Sequence, residues 1–141
     1  GFSISPLPGY GISFGQHSDL DFSIINEEIF NTLGAEFSEW ADQFKTKRIA
    51  AFNSTEENYW YQNIESGPNQ LSKGFIDTHF IPNRDLFMTT RKINNSLWRI
   101  KSMLEESHNI KVKKATASIY KDWKSFASRL NRNTDYVMKN V

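Results

Sequence analysis

Asp19 and Asp21 are separated by a single residue within the run His17-Ser18-Asp19-Leu20-Asp21-Phe22-Ser23-Ile24-Ile25. The stretch is rich in apolar and β-branched residues, which predicts a strand over 18–25. Side chains alternate faces along a strand, so both carboxylates are expected on one side. Two carboxylates side by side repel each other, and a positive centre between them removes the repulsion. Hard divalent cations with oxygen ligands, Mg²⁺ or Mn²⁺, are the usual centre. The three histidines, His17, His79 and His108, show no zinc-like local spacing, and the chain has no cysteine. A thiolate zinc site and a disulfide framework are thereby excluded.

The rest of the chain must position that pair. Residues 1–17 carry Pro6, Pro8, Gly9, Gly11 and Gly15 and read as an ordered or ligand-shaped loop. After the 18–25 strand, Asn26 is suited to cap a helix whose first turn holds Glu27 and Glu28. Phe30, Leu33, Phe37, Trp40, Ala41 and Phe44 recur at helical spacing, which predicts an amphipathic helix over 28–45 with a core-facing aromatic stripe. Residues 52–73 are polar, include Tyr59, Trp60 and Tyr61, and contain Ser66-Gly67-Pro68, a turn signal; a long loop, with room for a short helix, is expected. Residues 74–81 alternate well enough for a short strand ended by Pro82-Asn83. Leu86, Ile93, Leu97, Ile100 and Leu104 mark a second helix over 86–106, and 110–121 reads as a half-buried strand. Asp122 is placed to cap a last helix whose apolar side would be Trp123, Phe126, Ala127, Leu130 and Val137. The order β-α-(β)-α-β-α implies an α+β fold, a small mixed sheet backed by helices.

The 141 residues amount to one domain, 1–141, and the 11 Phe, 5 Tyr and 4 Trp argue against disorder. A net charge of +1 excludes a generic polyanion binder, so any nucleic-acid role needs a local patch. Lys111, Lys113, Lys114, Lys121, Lys124, Arg129 and Arg132 supply one in the last third, as a solvated face or as an RNA groove. No apolar run approaches the roughly 20 residues of a membrane span, so no membrane partner is expected. The opening on Gly1, directly in a glycine-rich loop, points to a module lacking upstream N-terminal elements.

Gly1-Phe2-Ser3, a glycine-rich spacer and Ser18-Asp19-Leu20-Asp21-Phe22 together resemble the signature of the DNA polymerase beta-like nucleotidyltransferase superfamily. That signature is a Gly-[Gly/Ser] pair, a spacer and a hydrophobic-flanked Asp-x-Asp. The helix opening Asn26-Glu27-Glu28-Ile29-Phe30, the stretch Gly74–Arg84 and Ser118–Trp123 are similar to later parts of compact bacterial members. The resemblance implies a nucleotidyltransferase-like palm and transfer of a nucleoside monophosphate from an NTP to an acceptor hydroxyl through two divalent ions. Asp19 and Asp21 would hold the metal, with Gly1, Ser3, Ser18 and His17 beside the triphosphate. The acceptor would be a protein, a tRNA end or a small molecule. Compact members occur in toxin–antitoxin, phage-defence and secreted-toxin settings, which implies a cytoplasmic site of action and a cognate antitoxin or immunity protein as partner.

The sequence departs from the family pattern in three places. Phe2 stands where Gly or Ser is usual, and the spacer is longer than in the compact motif. The third carboxylate, expected on a later strand facing the pair, has no acid at Thr116 or Ser118; Asp77 and Asp122 are the candidates to replace it. The alternative reading is a catalytically inactive nucleotide- or RNA-binding module on the same fold.

Overall fold

A computed structural model of the chain describes residues 18–139. Gly1, Ser3 and His17 lie outside the described residues, as does the side chain of Ser18. The elements are β1 (Ser18–Ile25), α1 (Glu27–Lys45), α2 (Ser54–Ser72), β2 (Phe75–Asp77), a 3₁₀ turn (Thr78–Phe80), α3 (Met88–Ser107), β3 (Val112–Tyr120) and α4 (Trp123–Lys139). The class is α+β, with four helices and a three-stranded mixed sheet among the described residues. The order is β1-β3-β2; β3 runs parallel to β1 and antiparallel to β2. No described helix is long and apolar enough to cross a membrane.

Local chemistry starts and stops the helices. The Asn26 side chain accepts a hydrogen bond from the Ile29 amide, and Asn53 does the same for Glu56, so α1 and α2 both open on an asparagine cap. α3 has no cap of its own. Glu36 on α1 supplies it, accepting from the Thr89 and Thr90 amides and the Thr90 hydroxyl at 2.7–2.9 Å. A carboxylate at a helix N-terminus also meets the positive end of the dipole.

The core lies between one sheet face and the helices α1, α2 and α3. Phe30, Leu33, Phe37 and Trp40 from α1 pack with Trp60, Ile76, Ile81, Phe87 and Ile119. Trp40 is fully buried, with the Phe37 and Trp60 rings edge-on at 5.5 Å. This is the helical stripe expected from sequence. A smaller cluster of Leu20, Leu104 and Val112 closes the β1 side against α3.

Several expected elements differ. The expected loop over 52–73 is the helix α2, and Ser66-Gly67-Pro68 lies inside it. Gly67 is there because the Phe37 ring fills the space of its missing side chain: a Cβ would lie 2.1 Å from that ring. The expected 74–81 strand pairs only over Phe75–Asp77 before the 3₁₀ turn ends it. In α4 the expected apolar side faces the sheet only in part, and the side chain of Val137 lies outside the described residues. Trp123 and Leu130 are 71% and 53% exposed, while Phe126 packs edge-on against Tyr120 and Arg129 reaches over the strands.

β3 carries one extra residue near its start. Ser18 pairs with Val112 and Asp19 with Lys114, so Lys113 has no partner on β1. The extra residue resets the alternation. Val112 and Ala115 thus both meet the cluster under α3, while Lys114, Thr116 and Ser118 share the opposite face.

Candidate functional site

That opposite face is polar, and β1 contributes Asp19, Asp21 and Ser23 to it. Leu20 is buried on the other side, and Asp19 and Asp21 are both exposed, so alternation places the two carboxylates together on an open surface as expected from sequence. Two residues of strand separate them by about 7 Å along β1.

Register on β3 decides what lies beside them. Lys114 stands opposite Asp19, Thr116 opposite Asp21 and Ser118 opposite Ser23. The Thr116 hydroxyl donates a 2.5 Å hydrogen bond to Asp21 Oδ1 and so fixes the orientation of that carboxylate. The lysine supplies a neighbouring positive charge. Both residues stand in the period-two polar series Lys114, Thr116, Ser118 and Tyr120, the sequence signal for this row; by charge alone Lys114 belongs to the basic set of the last third.

Asp77 sits on the same face, but on the far edge strand. Its partner on β3 is Ser118, two residues beyond the partner of Asp21. Strand spacing then separates the two backbones by about 10 Å across the sheet and about 7 Å along it. The Asp77 carboxylate is committed to other groups. Ser118 donates to Oδ1 at 2.5 Å, Gln70 to Oδ2 at 2.8 Å, and Arg129 to both oxygens at 3.0 and 3.2 Å. Burial acts to raise its pKa, but these donors and the Arg129 charge outweigh burial and hold it below the ordinary value. Arg129 in turn lies 4.0 Å above the Phe75 ring and donates to the Tyr120 hydroxyl. Burial disfavours its charge, and the contact with Asp77 more than restores it, so its pKa is raised.

Asp122 takes the other role weighed for it. Its Oδ1 accepts from the Ser125 amide at 2.7 Å and caps α4. Hydrogen bonding to the Ser125 hydroxyl, and then to its amide, holds the Asp122 pKa below the ordinary value. The residue borders a depression with Gly74, Lys121 and Ser125, beyond the end of β3 and six residues from Thr116, or about 20 Å along the chain. The third-acid assignment therefore does not bring Asp122 to the pair, because the strand ends before the chain can turn back.

A cleft of about 350 Å³ joins the row, bordered by Asp21, Asp77, His79, Lys114, Thr116 and Arg129. His79, at the rim, has its pKa lowered by its surroundings: desolvation of the ring and the charges of Lys114 and Arg129 outweigh the pull of Asp77. The neutral imidazole is thus the favoured form.

The donor set was weighed against a divalent ion. Asp19 and Asp21 are exposed hard-oxygen ligands on one face, the arrangement Mg²⁺ accepts when water and substrate phosphates complete its shell. Among the described residues no three His, Cys, Asp or Glu side chains converge as a metal site. The described side chains therefore offer two exposed carboxylates on one face and no third acid beside them.

Comparison with protein-family models, curated proteins and solved structures returned no match.

Proposed function

We propose that the chain is a metal-dependent nucleotidyltransferase that moves a nucleoside monophosphate from an NTP to an acceptor hydroxyl. One observation carries the reading: Asp19 and Asp21 stand exposed on one sheet face with Lys114 opposite the first and the Thr116 hydroxyl bonded to the second. A bound Mg²⁺ would neutralise phosphate oxygens and polarise the phosphorus for attack. The protein's own part is positioning. Asp19 and Asp21 would hold the ion, Thr116 keeps the Asp21 carboxylate in one orientation, and Lys114 offers a charge-assisted contact to a phosphate oxygen. His79, neutral at the rim, leaves the cleft without a further positive charge there. The resemblance adds an NTP as substrate, a tRNA or protein as acceptor, and a toxin or defence setting with a cognate antitoxin or immunity protein.

A second reading, an inactive nucleotide- or RNA-binding module, is favoured by the β3 row itself. Thr116 and Ser118 occupy the places nearest the pair where an acid would complete a two-ion site, and Arg129 occupies Asp77. One experiment separates the two. The protein is incubated with Mg²⁺ and each α-³²P-labelled NTP, and transfer of label to protein or to tRNA is followed alongside melting temperature. Label transfer that disappears in Asp19→Asn/Asp21→Asn supports the transferase. A metal-dependent thermal shift without transfer supports the binding module. Neither effect with any NTP refutes the transferase and the nucleotide-binding module alike, leaving RNA binding to a gel-shift with tRNA.

A further inference from the structure

A second cavity among the described residues lies away from the carboxylate pair and has a different chemistry. It occupies about 650 Å³ where α2, the 3₁₀ turn and α3 meet. Asn63 from α2, Asn83 from the loop after Pro82, and Asn94 from α3 all line it. Among the described residues none of these three side chains has a hydrogen-bond partner; Asn63 and Asn94 are half-buried and Asn83 is exposed, so their carboxamides are open to a ligand. Asn53 also borders the cavity but is already used as the α2 cap. Tyr59 stands four residues before Asn63, hence on the same helix face, with its ring 61% exposed.

We infer that this cavity binds a nucleobase through its three unpartnered asparagines and the Tyr59 ring. Each carboxamide carries donors and an acceptor side by side, the pattern that pairs with the edge of a base. An exposed aromatic ring offers a face for stacking. Charge argues against an anionic ligand or ligand group here. The carboxylate that borders the cavity, Glu56, is paired with Arg84 at 2.8 Å, and both side chains are largely covered. A cavity of this size admits a nucleoside. His79 borders both this cavity and the polar cleft, so a base held here lies next to the cleft that contains Asp21 and Lys114. The inference goes beyond the proposed transferase: base binding here requires neither metal nor phosphate.

The test is equilibrium dialysis of the whole chain with adenosine, guanosine, cytidine and uridine, without metal, and with ribose and glucose as controls. The expected result is saturable binding of at least one nucleoside and of neither sugar. Asn63→Asp and Asn94→Asp keep the side-chain shape but remove the amide donors, and each should weaken that binding tenfold or more. Tyr59→Ala should weaken it by a similar factor. Asp19→Ala/Asp21→Ala should bind the nucleoside as the parent does, whatever becomes of NTP transfer. No nucleoside binding up to the solubility limit overturns the inference. So does equal binding of the sugars, unchanged binding in both asparagine variants, or loss of binding in the Asp19/Asp21 variant.

Discussion

Arg129 forks onto Asp77, with Nη1 3.0 Å from Oδ1 and Nη2 3.2 Å from Oδ2, and the contact ties α4 to the edge strand β2. Parallel N–H bonds to both oxygens make this the strong, geometrically selective form of an ion pair. Both side chains are mostly covered, at 25% and 13% exposure, so solvent screens the pair only in part. Removing Arg129 would leave a sheltered carboxylate without its counter-charge. Arg129→Ala is expected to cost about 2–4 kcal/mol, slightly below the value for fully buried pairs. Arg129→Lys should recover part of that, since one ammonium cannot span both oxygens. Urea unfolding of the three proteins checks this; equal midpoints would mean that the pair adds nothing to the hold on α4.

Stability should fall in acid, in two stages. His79 has a folded pKa below its ordinary 6.5, so the unfolded chain takes up that proton first. Its contribution is complete above about pH 6.5 and drains away as pH falls from there through the lowered folded value. Asp77 has a folded pKa below its ordinary 3.8. Its contribution is present above that and is lost as pH falls through the folded value. Unfolding free energy measured from pH 8 to 2 should therefore decline below about pH 6.5 and decline again below about 3.8. His79→Gln should flatten the upper part and leave the lower.

The packing of Gly67 against Phe37 sets up a contest between two effects. Gly67→Ala gains about 1 kcal/mol of helix propensity. The added methyl, however, meets the Phe37 ring at 2.1 Å, and overpacking of a buried ring typically costs 1–3 kcal/mol. Net destabilisation of up to about 2 kcal/mol is expected. Phe37→Leu should relieve the clash, so the double variant ought to be more stable than the sum of the singles predicts.

Thr116 occupies the β3 position beside Asp21, and Thr116→Asp would place a third carboxylate there. Without metal, three like charges on one face should lower the melting temperature. With Mg²⁺ the order should reverse, and the variant should gain more stability per millimolar Mg²⁺ than the parent. Melting curves across a MgCl₂ series decide it. A metal-independent loss would argue that the face does not bind a cation.

Much of the site row was legible in the sequence because it depends on one period. Asp19 and Asp21 on one face of β1, and the buried stripe of α1, follow from alternation and from helical spacing alone. Asp122 as a cap was legible for a similar reason: capping is decided within four residues. What could not be read was set by distant partners. Gly67-Pro68 signals a turn locally, but the Phe37 ring, 30 positions earlier, makes glycine the residue that fits inside a helix. Arg129 looks like one of many surface cations until β2 brings Asp77 to it across 52 positions. The α4 face was misassigned in part on the same account, because the ion pair and the Phe126–Tyr120 contact turn Trp123 outward.

The extra residue at Lys113 gives β3 an unusual tolerance. Elsewhere in the strand, removing one amino acid would move every side chain upstream of the gap to the wrong face, carrying charged residues into the core. At position 113 the same removal would convert an interrupted ladder into a continuous one and leave Val112 and Lys114 on the sides they already occupy. Chain length at this point is therefore free to vary by one unit, while the identity of its neighbours is not.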